Sequence, residues 1–589
     1  MSAEPTDVEK AAVDSFLGTP TSSWDGGSER TPLDGHVAFG GYHQSSAKRH
    51  LLLPALQSVQ GAIGWISKGA MNYICERLTV PPAEAFGVAS FYALLATEYR
   101  PARVAHVCDD VCCRDRGGLE ILSALSDRDD VIPSPCLGQC DRGPAVFVQR
   151  AGESDVVLAR ASAEDVIAVL DGDEAPTPRV DVPQAGDDAL CLLRRVGIVD
   201  PVSLDAYQAS GGYTALRKAI EMGSEAVIDE VKASNLRGRG GAAFPMGIKW
   251  EAVANAAEST RYLICNADES EPGTFKDRVL MEGDPFALVE SMTIAALATG
   301  VTKGYIYVRA EYPLATARLE HAIATAHANG WLGSDVCGSG ARFELEIRSG
   351  AGAYICGEET ALMNSIEGYR GEPRNKPPFP TVQGLFGKPT IINNVETLMN
   401  VPDIVNDGGA AFARVGTNES TGPKLFCLSG AVDRPGVYEV PFATTLRELL
   451  DLAGGVLGDP GAIMLGGAAG MFVGQEHFDM PLTFEDARLR NTSLGSGVVM
   501  AFDSSTDFAD VLQRIAAFFR DESCGQCVPC RVGTVRQEEL LSRHVGGADL
   551  DKGLLDEIAM VMADASICGL GHTASGAIQS ALEMGLVRS

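Results

Sequence analysis

The sequence predicts a multidomain α/β protein, and three observations carry that reading. Its 589 residues exceed what a single core usually organises, since domains run to roughly 100–200 residues each. Apolar residues recur at helical spacing in some stretches and as short strands bounded by glycine turns in others. Two separate groups of cysteines stand at metal-ligand spacing, which marks domains built around inorganic centres rather than disulfides.

Residues 1–34 are rich in Ser, Thr, Asp, Gly and Pro and are expected to form a disordered tail. Residues 35–100 read as a helical segment, with Leu51, Leu52, Leu56, Ile63 and Ile66 at helical spacing. A small α/β domain spans 101–172, with a strand at 104–107, a hairpin from 145–148 and 156–158, and a closing helix near 163–171. The Pro-, Gly- and acid-rich stretch 173–199 reads as a linker. Residues 200–420 alternate helices with apolar strands such as 262–265 and 305–308, the pattern of an α/β domain. Short strands and glycine turns then define a small β-rich domain over 421–503, and 504–589 read as helices carrying a cysteine triplet.

Net charge is −30 and the sequence pI is about 4.7, so no basic surplus exists to neutralise phosphates, and nucleic acid is not an expected partner. The acidic surplus serves a solvated surface. No stretch approaches the roughly 20 apolar residues of a membrane span, so direct membrane insertion is not expected. The acidic opening lacks the basic and apolar regions of a signal peptide. Fifteen cysteines in so long a chain make no disulfide scaffold, which fits a reduced, cytoplasmic setting.

Cys524, Cys527 and Cys530 form a C-x2-C-x2-C triplet, with Cys568 available downstream. Three thiols so spaced can wrap one face of a [4Fe–4S] cluster, whereas zinc favours paired C-x2-C units. Further upstream, Cys108, Cys112 and Cys113 precede Cys136 and Cys140. Two pairs on two loops can hold a [2Fe–2S] cluster, zinc being the rival, and valence alone does not choose between Cys112 and Cys113. The run 238–250 formally contains G-x-G-x-x-A, but it follows a helical pattern rather than the strand a dinucleotide fingerprint requires. Its small residues still let backbone approach a phosphate, with Arg239 and Lys249 adding charge; a plain flexible loop is the bland alternative. Polar, turn-rich segments at 265–277, 350–360, 376–380 and 392–397 point to a nucleotide-like ligand when taken together.

Those segments in that order resemble the flavin-bearing, NADH-oxidising subunit of respiratory complex I and the diaphorase subunits of NAD-linked hydrogenases and formate dehydrogenases. Residues of roughly 35–172 are similar to that family's companion subunit, here fused in front. The resemblance implies a thioredoxin-like [2Fe–2S] domain at 101–172 and a Rossmann-like FMN domain at 200–420. It also implies a β-grasp-like, soluble-ligand-binding type of domain at 421–503 and a helical [4Fe–4S] domain at 504–589. It implies that Gly238, Arg239, Gly240, Lys249, Asn266, Asp268, Glu269, Gly357, Glu358, Asn393, Asn394 and Thr397 line FMN. Phe244, Glu271, Glu359, Lys376 and Phe379 would meet NAD(H). Cys108, Cys113, Cys136 and Cys140 would hold [2Fe–2S], with Cys112 a bystander, and Cys524, Cys527, Cys530 and Cys568 would hold [4Fe–4S]. Ala243 and Met246 depart from the family's usual Gly and Thr, and a methyl at 243 crowds the loop if its φ is positive. No protein residue is expected to act as a chemical catalyst, because hydride transfer is centred on the cofactors. The expected role is the β subunit of a molybdenum or tungsten formate dehydrogenase, partnered with a molybdopterin-bearing subunit and reducing NAD+ with electrons from formate. The alternatives are a partner of NiFe hydrogenase or of a complex I iron–sulfur subunit, and, more remotely, a non-catalytic cluster carrier.

Overall fold

The computed structural model describes residues 3–23, 26–27 and 46–587. Within the stretch expected to be a disordered tail, Asp7–Leu17 is an α-helix, opened by a capping box between Thr6 and Glu9. It buries Val13, and Asp14 receives bonds from Tyr73 and Arg77 of helix Lys68–Leu78. Packing against residues far along the chain thus overrides a disorder-like composition. Residues 1–2, 24–25 and 28–34 of this stretch lie outside the described residues.

Strands β1 (Arg103–Cys108), β2 (Val131–Ser134), β3 (Ala145–Arg150) and β4 (Val156–Ala159) form a sheet in the order β2-β1-β3-β4. Successive strand residues face opposite ways. Val146 and Val148 therefore join the core under helix Ala163–Asp171, while Ala145 and Phe147 pack with Cys108, Cys113 and Leu137. The pleat places the cysteines on the face turned away from the domain's own helix.

The stretch read as a linker is strapped down: Val182, Leu190, Leu193 and Val196 are buried, and Glu439 accepts from the backbone N–H groups of Cys191, Leu192 and Leu193.

The central domain holds four parallel strands, β5 (Tyr262–Ala267), β6 (Lys303–Val308), β7 (Glu344–Ser349) and β8 (Thr390–Asn394), ordered β7-β6-β5-β8. Helix Pro285–Thr299 is buried on almost every side, as its all-round apolar sequence requires. Strand order reverses between β5 and β8, where Cys265 pairs with Asn393 and Asn266 with Asn394. Open α/β sheets bind ligands at such a switch point, outside the carboxyl ends of the strands.

Strands β9 (Pro423–Gly430), β10 (Gly436–Pro441), β11 (Pro460–Leu465), β12 (Met471–Val473) and β13 (Val498–Asp503) form a mixed sheet around helix Leu446–Leu452. Helices Phe508–Glu522, Val528–Val545, Lys552–Ala565 and Gly576–Glu583 complete the chain. Among the described residues no helix is long and apolar enough to cross a membrane.

Candidate functional site

The glycine-rich loop leaves helix Ser224–Ala233 and enters helix Met246–Ala254, so it follows a helix as its sequence predicts. Gly238 N–H donates to the Phe244 carbonyl at 2.9 Å and closes the loop on itself. Ala243 sits at φ +50, a conformation that costs an L-residue about 1 kcal/mol. A Cβ on Gly240 would stand 3.1 Å from Asn394 Cβ, which brings loop backbone against the end of β8. Arg239 N–H donates to Thr397 Oγ1 at 2.8 Å, and Asn266 Nδ2 donates to the Gly357 carbonyl at 2.8 Å, tying in the 350–360 segment.

Two residues near the carboxyl ends of β5 and β8 carry buried polar atoms without a protein partner among the described residues. Arg239, 1% exposed, spends Nη2 on the Thr421 carbonyl and leaves Nε and Nη1 unmatched. Asp268 leaves Oδ2 unmatched. Burial lowers the Arg239 guanidinium to about 10 and pushes the Asp268 carboxyl well above the usual carboxylate range. Buried polar atoms are seldom orphaned in native proteins. The spare Arg239 donors suit an anionic group and the spare Asp268 oxygen suits a hydrogen-bonding partner, and FMN carries both kinds of group.

At the mouth, the Phe244 and Phe379 rings are 47% and 57% exposed. Lys376 Nζ bridges Glu358 (2.9 Å) and Glu359 (3.2 Å), and Lys249 lies 3.6 Å from Glu359. Glu271 accepts from the Tyr354 hydroxyl at 2.6 Å and from Ala469 N–H at 2.8 Å, joining the central and β-rich domains.

Burial raises the Glu271 carboxyl to about 7 from an ordinary 4.5. Between those values the folded chain binds more protons than the unfolded one, so this group's stabilisation is full below 4.5 and lost as pH rises through 7. Melting curves of cofactor-free protein are expected to show the wild type losing stability relative to Glu271→Gln across that window. Parallel dependences on pH for the two proteins would contradict it.

Several expected ligands have side chains engaged elsewhere. The Glu269 carboxylate accepts from Asp277 N–H (2.8 Å), Arg278 N–H (2.9 Å) and the Tyr312 hydroxyl (3.1 Å), capping helix Lys276–Gly283. Asn394 caps Val395–Met399, Glu358 caps Glu359–Ile366, and Asn393 Oδ1 accepts from Trp250 Nε1 at 3.1 Å. Glu269, Asn394 and Glu358 thus fix helix starts near the switch point.

Five thiols gather beyond β1. Cys136 and Cys140 sulfurs are 3.5 Å apart, the Cys108 thiol neighbours those of Cys113 and Cys136, and Cys112 lies against Cys140. The bystander expected at 112 is therefore buried within the group. Asp110 ties the two loops together, accepting from Val111 N–H at 2.8 Å and Cys136 N–H at 3.2 Å. Cys524, Cys527, Cys530 and Cys568 line one small pocket with Ile355, Pro373, Ile567 and Leu570. Among the described residues no three His, Cys, Asp or Glu side chains converge on a point fit for a single metal ion; the four carboxy-terminal thiols line a small space instead. Asp110 belongs to no motif, and its only sequence signal is its place between cysteines.

Fold, thiol groups and likeness to known proteins together define a class: a flavin- and iron–sulfur-bearing NADH oxidoreductase subunit. Family models match the Nuo51 FMN-binding domain over residues 231–403 and the NADH-ubiquinone oxidoreductase-F iron-sulfur binding region over 510–584. Others match the thioredoxin-like [2Fe-2S] ferredoxin over 40–172 and the SLBB domain over 425–467. The chain is 46% identical over 401 residues to the F 2 subunit of NADH-quinone oxidoreductase from Rhizobium meliloti (strain 1021), covering 67% of this chain and 94% of that one. It is 43% identical to the HndC subunit of the NADP-reducing hydrogenase of Solidesulfovibrio fructosivorans, covering 66% and 80%. A crystal structure of NAD+-reducing [NiFe]-hydrogenase in the H2-reduced state superposes with a TM-score of 0.78 at 32% identity, covering 91% of both chains. The chain belongs to the family of NADH-quinone oxidoreductase F subunits, with a thioredoxin-like [2Fe–2S] domain in front.

Proposed function

We propose that the chain is the diaphorase subunit of a multisubunit enzyme, exchanging a hydride between NAD(H) and FMN and single electrons with its two clusters. The observation that carries this reading is the pair of unmatched groups, Arg239 and Asp268, near the switch point of the parallel sheet, in a chain that also gathers two groups of thiols. Bound FMN supplies the interconversion of two-electron and one-electron chemistry. The chain's residues bind and orient. Gly238 and Gly240 give backbone access for the phosphate, Arg239 and Lys249 add charge, and Asn266, Asp268, Gly357, Asn393 and Thr397 surround the flavin. Phe244 and Phe379 offer exposed rings for adenine. Reduction of ferricyanide by NADH with FMN-loaded protein is the test; a chain that takes up no FMN and turns over no NADH would instead be a cluster carrier.

Glu271 and Glu359 would accept hydrogen bonds from the ribose hydroxyls, which a 2′-phosphate would forfeit, so NADH is expected to be used more efficiently than NADPH. The relative HndC belongs to an enzyme whose name specifies NADP, which makes the comparison of kcat/KM for both cofactors informative. Equal efficiency would defeat the preference.

For the partner, the relatives favour a hydrogenase or a quinone-oxidoreductase arm over the formate dehydrogenase that the sequence suggested. Nickel in a co-purifying subunit supports the hydrogenase reading, and molybdenum or tungsten would restore formate dehydrogenase. Cysteine usage and the acidic surface suit a reducing, cytoplasmic setting.

A further inference from the structure

The loop carrying Cys136 and Cys140 is gripped by the flavin domain. Arg309 follows the carboxyl end of β6 and is 3% exposed. Its Nη2 donates to the Cys136 carbonyl at 2.8 Å and to Glu311 Oε1 at 2.7 Å, while Nη1 donates to the Glu269 carbonyl at 2.7 Å. Beside it, Arg278 donates Nε to the Gly138 carbonyl at 3.0 Å and Nη2 to Asp141 at 2.8 Å. Gly138 has φ +65, and a Cβ there would stand 2.0 Å from the Tyr312 hydroxyl oxygen, so the loop packs too close to the flavin domain to admit a side chain at this position. One buried guanidinium therefore touches both the peptide of a cluster cysteine and the loop beside the flavin pocket.

We propose that Arg309, with Glu311 as its counter-ion, sets the reduction potential of the [2Fe–2S] centre from the flavin domain. It is a positioning residue that acts through the Cys136 peptide. The inference rests on reading Cys136 as a ligand of that centre.

One-electron reduction adds a negative charge to a centre already bound by four thiolates. A cation held close by, where water does not screen it, favours the reduced form. Cluster potentials follow net charge, hydrogen bonding and exposure, and groups outside the ligand set tune all three. Cys136 is 2% exposed, so the field of Arg309 reaches it through protein. Glu311 Oε1 is bonded to Arg309 while its Oε2 has no protein partner among the described residues, which leaves its charge opposing Arg309's with little other compensation. The two side chains should then act with opposite sign. Loss of a merely structural contact would not produce that pattern.

The test is a redox titration, followed by electron paramagnetic resonance, of the full chain with both clusters assembled. Arg309→Gln is expected to lower the [2Fe–2S] potential, with the reduced-to-oxidised ratio at fixed poise falling about tenfold, or about 59 mV for one electron. Glu311→Gln is expected to raise it, Arg309→Lys to stay near wild type, and the [4Fe–4S] potential to hold in all three. Shifts of one sign in both Gln variants, or none, would overturn the inference. If Arg309→Gln assembles no [2Fe–2S] centre, Glu311→Gln decides alone: an upward shift supports the proposal and an unmoved potential refutes it. A wild-type protein without any [2Fe–2S] signal would mean that the ligand reading itself has failed, and the inference with it.

Discussion

Replacing Glu396 by Gln is expected to cost about 3–5 kcal/mol of stability, the penalty for breaking a buried ion network by removing one partner. Glu396 is wholly buried and faces two wholly buried ammonium groups, Lys424 Nζ at 2.9 Å and Lys276 Nζ at 3.1 Å. It also accepts from Leu425 N–H at 2.9 Å. Lys276 retains Asp277 at 2.7 Å, but Lys424 would keep only carbonyl partners, at Leu425 and Ser496. Its ammonium is already lowered to about 8 by burial, so it would be driven further toward the neutral form. Lys424 stands on β9 and Glu396 beside Asn394 and Thr397, so the same network fastens the β-rich domain to the flavin pocket. Against net stabilities of about 5–15 kcal/mol, this loss is large. Denaturant midpoints of wild type, Glu396→Gln and the paired Glu396→Leu/Lys424→Met variant would check it. The pair is expected to be the milder change because no orphaned charge remains on β9, and a single variant within about 1 kcal/mol of wild type would contradict the network's role.

The second large effect is expected at the carboxy-terminal cysteines. Cys568→Ala removes one wall thiol of the pocket formed with Cys524, Cys527 and Cys530, and with it the proposed fourth ligand of the [4Fe–4S] centre. Even the loss of a group outside the ligand set costs roughly 10–100-fold in metal affinity, and loss of a ligand should cost more. The protein is expected to lose the [4Fe–4S] signal and its iron while keeping the [2Fe–2S] signal and NADH-driven reduction of ferricyanide at the flavin. Cys112→Ala provides the contrast at the other centre. If Cys113 is the ligand, the [2Fe–2S] signal survives that change, even though Cys112 lies against Cys140. Retention of a full [4Fe–4S] signal in Cys568→Ala would remove this residue from the ligand set.

Elements with local patterns were legible in the sequence. The strand at 262–265, the hairpin from 145–148 and 156–158 and the helix near 163–171 all follow periodicity and turn chemistry. So did the glycine loop's unusual place after a helix, because helical spacing before it was plain. The helix Asp7–Leu17 was also signalled, by Thr6 and Glu9 at capping-box spacing, but a polar composition hid it until residues 52–63 supplied a packing surface. Glu269 and Asn394 show a different limit. An acid or amide beside a turn suits a ligand or a helix start equally well, and only the fold reveals that these two cap helices. Arg309 and Arg278 were not legible at all. Arg309 lies in a stretch, 304–313, whose only sequence signal is its likeness to formate dehydrogenase subunits, and the meaning of both residues comes from a loop of another domain more than a hundred residues away.

The most direct test of the account is anaerobic addition of NADH to protein loaded with FMN and both clusters. Flavin absorbance and the two cluster signals would be followed together. Bleaching of the flavin accompanied by signals from reduced [2Fe–2S] and [4Fe–4S] centres is the predicted result. A flavin that bleaches while both centres stay oxidised, or protein that carries zinc in place of iron, would contradict it.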